Sequence, residues 1–467
     1  MSPTEVSKLP AWTLRSRLFS SDESQANSGF FRNLIVSYAR SNAIETMKCI
    51  KKGTLVLEDS QGRQVFPAGT TSTDGAVVLK VVNDNLWLRI LMSHDIGLAE
   101  AYMEGDFHVS SLKGLLNLWL DNREVMAGFK NIINSICAYY SAVAINTLGR
   151  QTLEMSLQNV QVAYDVSNDF YEIFLSKEMM YSCAIWGPEE DGPNGDLTVG
   201  PKEGDLEAAQ HRKVHHILKL ARVRPGDRLL EIGSGWGAVS IEAAKMGVTV
   251  HTVTLSSEQK AMTESRAAAL GLSDLITVHL CDYRMLPAEF ENTFHAFVSC
   301  EMVEAVGYKH WNEYFGVMDW ALTKERGTAV ITATAQPEFR WSEYQPDDFA
   351  RHYHWPNTFL PSATSFPSEL QRIMPGKFVF AGLEDHAVHY PRTLREWGRR
   401  LTKNFDKATK QRIQEKHPEL RNEKRLQAFI NKWHYMFTYA EVGYARAYTA
   451  LNCWVFARPE NVAEPCG

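Results

Sequence analysis

The spacing of hydrophobic residues changes along the chain and predicts two kinds of structure in succession. Helical spacing at 30–51 is followed by short β-like runs separated by polar turns, at 54–58, 64–66, 76–82 and 86–91. A further helical stretch at 112–122 completes a small α+β unit. We expect 1–30 to be loosely ordered, 31–122 to form an N-terminal domain, and 123–160 to be a helical connector.

From about residue 206 the pattern alternates between helices and buried strands. Helices are predicted at 206–220, 238–246, 256–270 and 309–322, and strands at 228–232, 248–255, 276–280, 294–298, 327–334 and 448–458. This alternation predicts an α/β fold with a doubly wound, Rossmann-like parallel sheet, in which ligands bind at the carboxyl ends of the strands. We place this second domain at 161–467. The Gly/Pro-rich run 187–204 is predicted to be an exposed loop, and 335–365 is an aromatic-rich insertion.

A glycine turn follows the strand at 228–232. Gly233, Gly235 and Gly237 occupy every second position, where the lack of a Cβ lets a backbone turn sharply and lie against a ligand. The spacing does not match the dinucleotide fingerprint Gly-x-Gly-x-x-Gly. With the acids Glu231 before the turn and Asp282 after the third strand, it resembles an S-adenosylmethionine (AdoMet) methyltransferase.

Composition narrows the choice of partner and compartment. A chain of 467 residues is long for one core, and its net charge of −6 gives no reason to expect nucleic acid as a partner. The N-terminus lacks the pattern of a secretory signal, and the apolar stretch 132–147 is too short and polar for a membrane span. We therefore expect a cytoplasmic protein with peripheral membrane contact.

A series of segments makes the resemblance specific. In order, the chain contains YDVSNDFYEIFL, MMYSCAIW, LLEIGSGWG, TLSSEQ, CDYRML, EMVEAVG, WPNTFLPS and HYPRTLREW. Together they resemble the cyclopropane-fatty-acyl-phospholipid synthase family, which includes the mycolic acid cyclopropane synthases. The resemblance covers roughly residues 50–458, and the earlier GLAEAYMEGDF is similar to the small domain that precedes the catalytic domain in phospholipid-acting members. It implies a class I AdoMet-dependent methyltransferase and a possible homodimer.

The resemblance also implies a set of AdoMet contacts. Tyr181 and Ser182 would reach the methionine end; the glycine turn and Glu231 would lie along the cofactor; Thr254, Leu255 and Gln259 would hold the ribose; Asp282 and Tyr283 would hold the adenine. For Thr254 and Asp282 the alternative is a helix cap.

The chemistry of the family requires a dry, aromatic site. An alkene is a poor nucleophile, so it must be held close to the transferred methyl group with water excluded. The carbocation that follows is stabilised by aromatic faces. The rings available for this role are those of Tyr164, Phe170, Tyr171, Trp186, Tyr439 and Tyr444, and for each of them the alternative is ordinary core packing.

A base must then remove a proton from the new methyl group. In the family this base is a bicarbonate ion, and the resemblance assigns its ligands to the backbone of Cys183 and the side chains of Glu304 and Tyr390. The family histidine falls on Thr332, the next backbone contact on Thr334, and another family histidine on Ala163. A threonine hydroxyl donates a hydrogen bond without charge, so the sequence predicts an incomplete bicarbonate site, for which His389 would be a partial substitute.

Three functions remain open. The first is transfer of a methylene group from AdoMet to a cis double bond of a phospholipid acyl chain, giving a cyclopropane fatty acid. The second is AdoMet-dependent C-methylation that leaves a methyl or methylene branch on a lipid, sphingolipid or terpenoid alkene. The third, a non-catalytic lipid-binding protein, is disfavoured because the glycine turn, Glu304 and Tyr390 are all retained.

Overall fold

The structure, a computed structural model, describes residues 26–70, 72, 74–126 and 167–461. The chain divides into two compact units. The first unit draws on Met1–Tyr139, Asp347–His354 and Glu419–Tyr439, and the second on Tyr140–Pro346, Trp355–Pro418 and Ala440–Gly467. Of the region 1–30 predicted to be loosely ordered, residues 1–25 lie outside the described residues, whereas residues 26–30 are helical. Most of the predicted connector 123–160, including 132–147, also lies outside the described residues, as do Ala163 and Tyr164.

The strands are β1 (Leu55–Asp59), β2 (Gly62–Phe66), β3 (Val77–Val81), β4 (Phe107–Val109), β5 (Arg228–Ile232), β6 (Thr249–Thr254), β7 (Ile276–Leu280), β8 (Ala296–Cys300), β9 (Thr328–Ala335), β10 (Val379–Asp385) and β11 (Ala450–Ala457). The helices are α1 (Ala26–Met47), α2 (Asn85–Glu104), α3 (Leu112–Asp121), α4 (Arg123–Met126), α5 (Asn168–Phe174), α6 (Gly195–Thr198), α7 (Asp205–Leu220), α8 (Ala238–Lys245), α9 (Ser257–Ala269), α10 (Trp311–Ala321), α11 (Phe349–Tyr353), α12 (Ser365–Ile373), α13 (Tyr390–Asn404), α14 (Lys407–Lys416) and α15 (Glu423–Ala445).

The first unit contains a four-stranded sheet in the order β2-β1-β3-β4. Strands β1 and β2 form an antiparallel hairpin, β1 is parallel to β3, and β3 is antiparallel to β4. Leu57 of β1 and Trp87 of α2 are both fully buried in the core that this sheet shares with its helices. The predicted strands at 54–58, 64–66 and 76–82 are confirmed within one or two residues of each end.

The predicted strand at 86–91 is wrong, because these residues begin α2. A short apolar run fits a buried helix as well as a strand, and the pattern alone does not separate them. The helix kinks at His94, whose φ of 50° and ψ of −116° are not helical. At the kink Gly97 approaches the carbonyl oxygen of Arg89 so closely that a Cβ would lie 1.9 Å from it. The buried Arg89 guanidinium lies 2.9 Å from Asp106 and 3.6 Å from Glu100.

The second unit is built on a seven-stranded sheet in the order β10-β11-β9-β8-β5-β6-β7. Its five strands β5 to β9 are parallel, which confirms the doubly wound α/β prediction. Strands β11 and β10 extend it antiparallel at one edge. Leu229 and Leu230, adjacent on β5, belong to two different core clusters, as expected for a strand covered on both faces.

The strand order reverses between β5 and β8, and this switch point fixes the binding edge. The chain passes from β5 to β6 on one side and returns through β8 to β9 on the other. The loops after the carboxyl ends of β5 and β8 therefore diverge and leave a crevice, which is where doubly wound sheets bind ligands. The glycine turn follows β5, and Glu301 and Glu304 follow β8.

The run 187–204 differs in part from its prediction. Much of it is exposed, but it forms short helical turns and is anchored at Glu190, which is 3% exposed. The Glu190 carboxylate accepts hydrogen bonds from Arg212 and from the Gly187 amide. Arg392 donates to the Glu190 carbonyl. These hydrogen bonds hold the run onto α7 and α13.

No helix in the part of the chain that the structure describes is both long and apolar enough to cross a bilayer.

Candidate active site

The glycine turn joins β5 to α8 and leaves space beside it. The amides of Gly233 and Ser234 both donate to the Val253 carbonyl of β6, at 3.0 and 3.1 Å. Gly235 has a φ of +47°, and a Cβ placed on it would meet no protein atom within 4 Å. A turn with open space above a backbone in this conformation fits a cofactor lying against it.

The residues predicted to hold the ribose lie at the end of β6. The Thr254 hydroxyl donates to the Gln259 amide oxygen at 2.7 Å and accepts from the Ser256 amide at 3.1 Å. Both side chains are buried, at 6% and 7% exposure, and Leu255 between them is half-buried. The contact orients the Gln259 amide, whose N–H groups suit hydroxyl acceptors.

The residues predicted to hold the adenine follow β7. The Asp282 carboxylate caps a short helical turn by accepting from the Arg284 amide at 3.0 Å. It also accepts two bonds from the Arg284 guanidinium, at 2.7 and 2.8 Å, and that guanidinium lies 5.5 Å from the centre of the Tyr283 ring. The helix-cap alternative therefore describes Asp282, and its contact with adenine stays a prediction.

Glu231 lies within the core beneath the turn. It is 2% exposed and accepts a hydrogen bond from the Ser240 hydroxyl of α8. Burial raises the pKa of its carboxyl to about 7. This internal contact ties the end of β5 to the start of α8.

The segment 181–183 lies against α7 and the loop after β8. The Lys213 ammonium donates to the Ser182 hydroxyl at 2.5 Å, and the Gln210 amide donates to the Ser182 carbonyl at 2.8 Å. The Cys183 amide donates to Oε1 of Glu301 at 2.9 Å. The segment thus brings a backbone N–H donor to an acid of another loop.

Glu301 is the residue that sequence reasoning missed. Its carboxylate accepts from the Cys183 amide through Oε1 and from the Tyr390 hydroxyl through Oε2, the latter at 2.6 Å. Burial raises the pKa of Glu301, while the bonds from Tyr390 and Cys183 and the charge of Lys213 oppose that rise. One signal was available, because Glu301 opens the EMVEAVG segment directly after the end of β8, where acids face ligands.

Glu304 lies beside Glu301 but has different partners. Its Oε1 accepts from the Thr334 amide at 2.7 Å, while Oε2 is buried and has no hydrogen-bond partner among the described residues. Burial, followed by the charge of Glu301, raises the pKa of Glu304 to about 8. At neutral pH Glu304 is therefore mainly protonated.

Thr332 and Thr334 of β9 hold neighbouring groups in place. The Thr332 hydroxyl lies 3.4 Å from the Cys300 sulfur, and its oxygen accepts from the Glu301 amide at 3.2 Å. The Thr334 hydroxyl shares a 2.8 Å hydrogen bond with the Tyr444 hydroxyl. The ring of Tyr444 stacks on that of Tyr390, with centroids 4.3 Å apart.

His389 does not serve as a substitute for the missing family histidine. Its Nδ1 accepts from the Trp186 amide at 3.1 Å, and burial lowers its pKa to about 4. The Trp186 indole donates to the His389 carbonyl at 3.0 Å and packs under the Arg392 guanidinium, 4.1 Å away. These contacts favour the alternative given for Trp186 in the sequence analysis, namely ordinary core packing.

Other aromatic residues cluster near Tyr181. Its ring centroid lies 5.2 Å from Trp397 and 5.3 Å from Tyr171, and Tyr171 lies 5.2 Å from Trp236. Phe170 is fully buried behind them. Tyr439, which the sequence grouped with these rings, belongs to the first unit, where it packs on Tyr435 and Phe349.

The parallel sheet with its glycine turn at the switch point defines a class I AdoMet-dependent methyltransferase fold. Solved structures agree: coclaurine N-methyltransferase superposes with a TM-score of 0.57 at 18% identity, covering 77% of this chain and 99% of that one. The cyclopropane synthase MmaA2 from Mycobacterium tuberculosis superposes with a TM-score of 0.52 at 21% identity, covering 64% and 98%.

The family profile described as mycolic acid cyclopropane synthetase matches residues 151–450, and the chain belongs to this family. The chain is 29% identical over 385 residues to the tuberculostearic acid methyltransferase UfaA1 of Mycobacterium tuberculosis, covering 80% of this chain and 82% of that protein. It is 28% identical over 331 residues to the cyclopropane-fatty-acyl-phospholipid synthase of Escherichia coli K12, covering 69% and 76%. It is therefore an enzyme, an AdoMet-dependent methyltransferase of a lipid-modifying family, with AdoMet as its cofactor.

Proposed function

We propose that the enzyme transfers a methylene group from AdoMet to a cis double bond of an unsaturated phospholipid acyl chain, forming a cyclopropane fatty acid. The observation that carries this proposal is a partly buried acid, Glu301, which is hydrogen-bonded to Tyr390 and Cys183. It follows the carboxyl end of β8, the strand that pairs with β5 and so lies next to the glycine turn. AdoMet supplies an electrophilic methyl group when bound.

The chain would contribute three things to this reaction. The glycine turn, Tyr181, Ser182, Thr254, Leu255, Gln259, Asp282 and Tyr283 would bind the cofactor. The rings of Tyr171, Trp236, Trp397 and Tyr181 would exclude water and stabilise a carbocation. The acids Glu301 and Glu304, together with Cys183, Tyr390 and Thr332, would control the proton that must leave.

A second candidate product is a methyl or methylene branch on the same acyl chain. Thr332 stands where the resemblance expects a histidine, so the proton-accepting site differs from that of a cyclopropane synthase. The relative that matches 80% of this chain is named a tuberculostearic acid methyltransferase. Both products require one carbon from AdoMet, and they diverge only after the carbocation forms.

Product analysis decides between the two. The protein is incubated with AdoMet and vesicles of cis-unsaturated phospholipid, and the acyl chains are recovered. A cyclopropane and a methylene branch have the same mass, so proton NMR identifies the ring by its strongly upfield methylene signal and the branch by its vinylidene signal. Absence of any acyl chain enlarged by one carbon would refute the lipid proposal.

Peripheral membrane contact is part of the proposal. Helix α1 of the first unit carries three large apolar side chains that are 49–61% exposed, those of Leu34, Ile35 and Tyr38. Exposed apolar side chains on one helix favour contact with a lipid interface. Co-sedimentation with anionic phospholipid vesicles should fall when Leu34 and Tyr38 are replaced by serine, and unchanged binding would contradict it.

A further inference from the structure

We propose that the Glu301 carboxylate is the proton acceptor of this enzyme, that it stands in the place the family gives to bicarbonate, and that the reaction needs no bicarbonate. This inference rests on the proposed transfer of carbon to a double bond. It follows from the position of the Glu301 carboxylate, which already accepts from two of the groups that the resemblance assigns to the bicarbonate ion.

The residues present do not fit a bound bicarbonate. The family anion is implied to accept from the Cys183 amide and the Tyr390 hydroxyl, and in this chain both donate to Glu301, at 2.9 and 2.6 Å. A carboxylate and a bicarbonate both present two oxygens from a planar carbon, so one side chain satisfies the donors that would hold the ion. A second anion there would face the charge of Glu301 in a buried setting.

The departure at Thr332 is explained by the same arrangement. The Glu301 amide donates to the Thr332 carbonyl at 2.8 Å and lies 3.2 Å from the Thr332 hydroxyl. Only the hydroxyl contact depends on threonine, and through it the side chain at the family histidine position contacts the backbone of Glu301. The presence of Glu301 in the anion position and that of Thr332 in place of the histidine are therefore linked, because Thr332 of β9 helps to position Glu301.

The backbone of Glu301 supports a functional role. Its φ is +49°, a left-handed conformation that is unfavourable for a residue with a side chain. Such conformations persist where the surroundings over-determine them, and they concentrate at active sites. Here the hydrogen bond from the Glu301 amide to Thr332 holds the backbone, and the two hydrogen bonds to the carboxylate hold the end of the side chain.

The hydrogen bonds favour the charge on Glu301 and the proton on Glu304. The Glu301 carboxylate has two hydrogen-bond donors and the nearby Lys213 ammonium. The Glu304 carboxylate accepts from the Thr334 amide through Oε1, and its Oε2 has no partner among the described residues. The charge of Glu301 in turn favours the neutral form of Glu304. The pair therefore offers one ionised base, as two neighbouring carboxyl groups do when they cannot both ionise.

The step balances with the groups on hand. The π pair of the double bond forms the new C–C bond to the transferred carbon, and the pair of the broken C–S bond stays on sulfur, which leaves a carbocation on the acyl chain. A lone pair of Glu301 takes a proton from the new methyl group. The released C–H pair closes the ring, or forms a methylene double bond after a hydride shift. Glu301 ends as a neutral acid and returns its proton to water after product leaves.

Two substitutions test the base role. Glu301→Gln keeps the size of the side chain but not the base, so product formation on cis-unsaturated phospholipid vesicles should fall by about 10²-fold or more, with AdoMet affinity unchanged. Glu301→Gly suits the positive φ and opens the anion place. It should be inactive in carbonate-free buffer and regain activity when bicarbonate is added. Glu415→Gln, on the exposed face of α14, is the matched control.

Wild-type protein should turn over equally with and without bicarbonate. A requirement of the wild type for bicarbonate, or a Glu301→Gln variant that keeps most of its rate, would overturn the inference. Calorimetric titration with bicarbonate adds a readout independent of turnover: the Glu301→Gly variant should bind the ion and the wild type should not. If wild type forms no enlarged acyl chain, the proposed function fails, yet calorimetry still decides whether Glu301 excludes the anion.

Discussion

Removing the Tyr390 hydroxyl should move the pH dependence of the reaction upward. Tyr390→Phe deletes the 2.6 Å hydrogen bond to Oε2 of Glu301. A hydrogen bond to a buried charged group is worth about 1.5–3 kcal/mol, and 1.36 kcal/mol corresponds to one pKa unit. Because the lost bond favours the ionised form, the pKa of Glu301, already raised by burial, should rise by about one to two units further.

The consequence is a defect that depends on pH. The base acts when ionised, so activity falls as pH drops through its pKa. On the acid limb of the profile the variant should be about 10- to 100-fold slower than the wild type at the same pH, and raising the pH should recover much of that loss. The assay is the initial rate of conversion of AdoMet to S-adenosylhomocysteine across a pH series. Tyr344→Phe, whose ring is 47% exposed, is the control. A rate loss with an unshifted acid limb would refute the reasoning.

Three further substitutions probe other parts of the molecule. Glu304→Gln should slow turnover less than Glu301→Gln, because the pKa of Glu304 is raised to about 8 and an amide resembles its neutral form at pH 7; the opposite order in product assays would contradict the charge assignment. Gly235→Val should weaken AdoMet binding by tenfold or more, roughly 1.4 kcal/mol, because its side chain would enter the open space beside the turn; calorimetry measures this, and unchanged affinity would argue against the cofactor position. Arg89→Met leaves two buried acids without their cation and should lower the free energy of unfolding by about 3–5 kcal/mol; an unchanged urea midpoint would contradict it.

The parallel core of the second unit was predictable because its pattern is strong and local. Strand β7 occupies the predicted residues 276–280, and β5 and α8 match within a residue. Each is an apolar run bounded by turns or charged residues, so its burial and its ends can both be predicted from the order of residues. The start of α2 was not predictable in this way, since LWLRILM satisfies a buried helix and a buried strand equally.

The sequence predicted most residues of the candidate site, but it did not predict which of them contact one another. Resemblance selected Cys183, Glu304 and Tyr390, and the structure brings Cys183 and Tyr390 onto one carboxylate. That carboxylate belongs to Glu301. Its position depends on a left-handed backbone and on a hydrogen bond to a strand 31 residues later, and neither is a property of local spacing.

The first unit is built from three separate stretches of the chain, and this has a consequence for synthesis on the ribosome. Its sheet is complete by Val109, but its hydrophobic interior also requires Phe349, which packs 4.6 Å from Tyr435. Those two rings emerge only when most of the polypeptide has been made. The N-terminal part must therefore wait, partly assembled, while the intervening sheet is translated, and a ribosome stalled before residue 419 would release a protein whose first unit lacks its last helical segment.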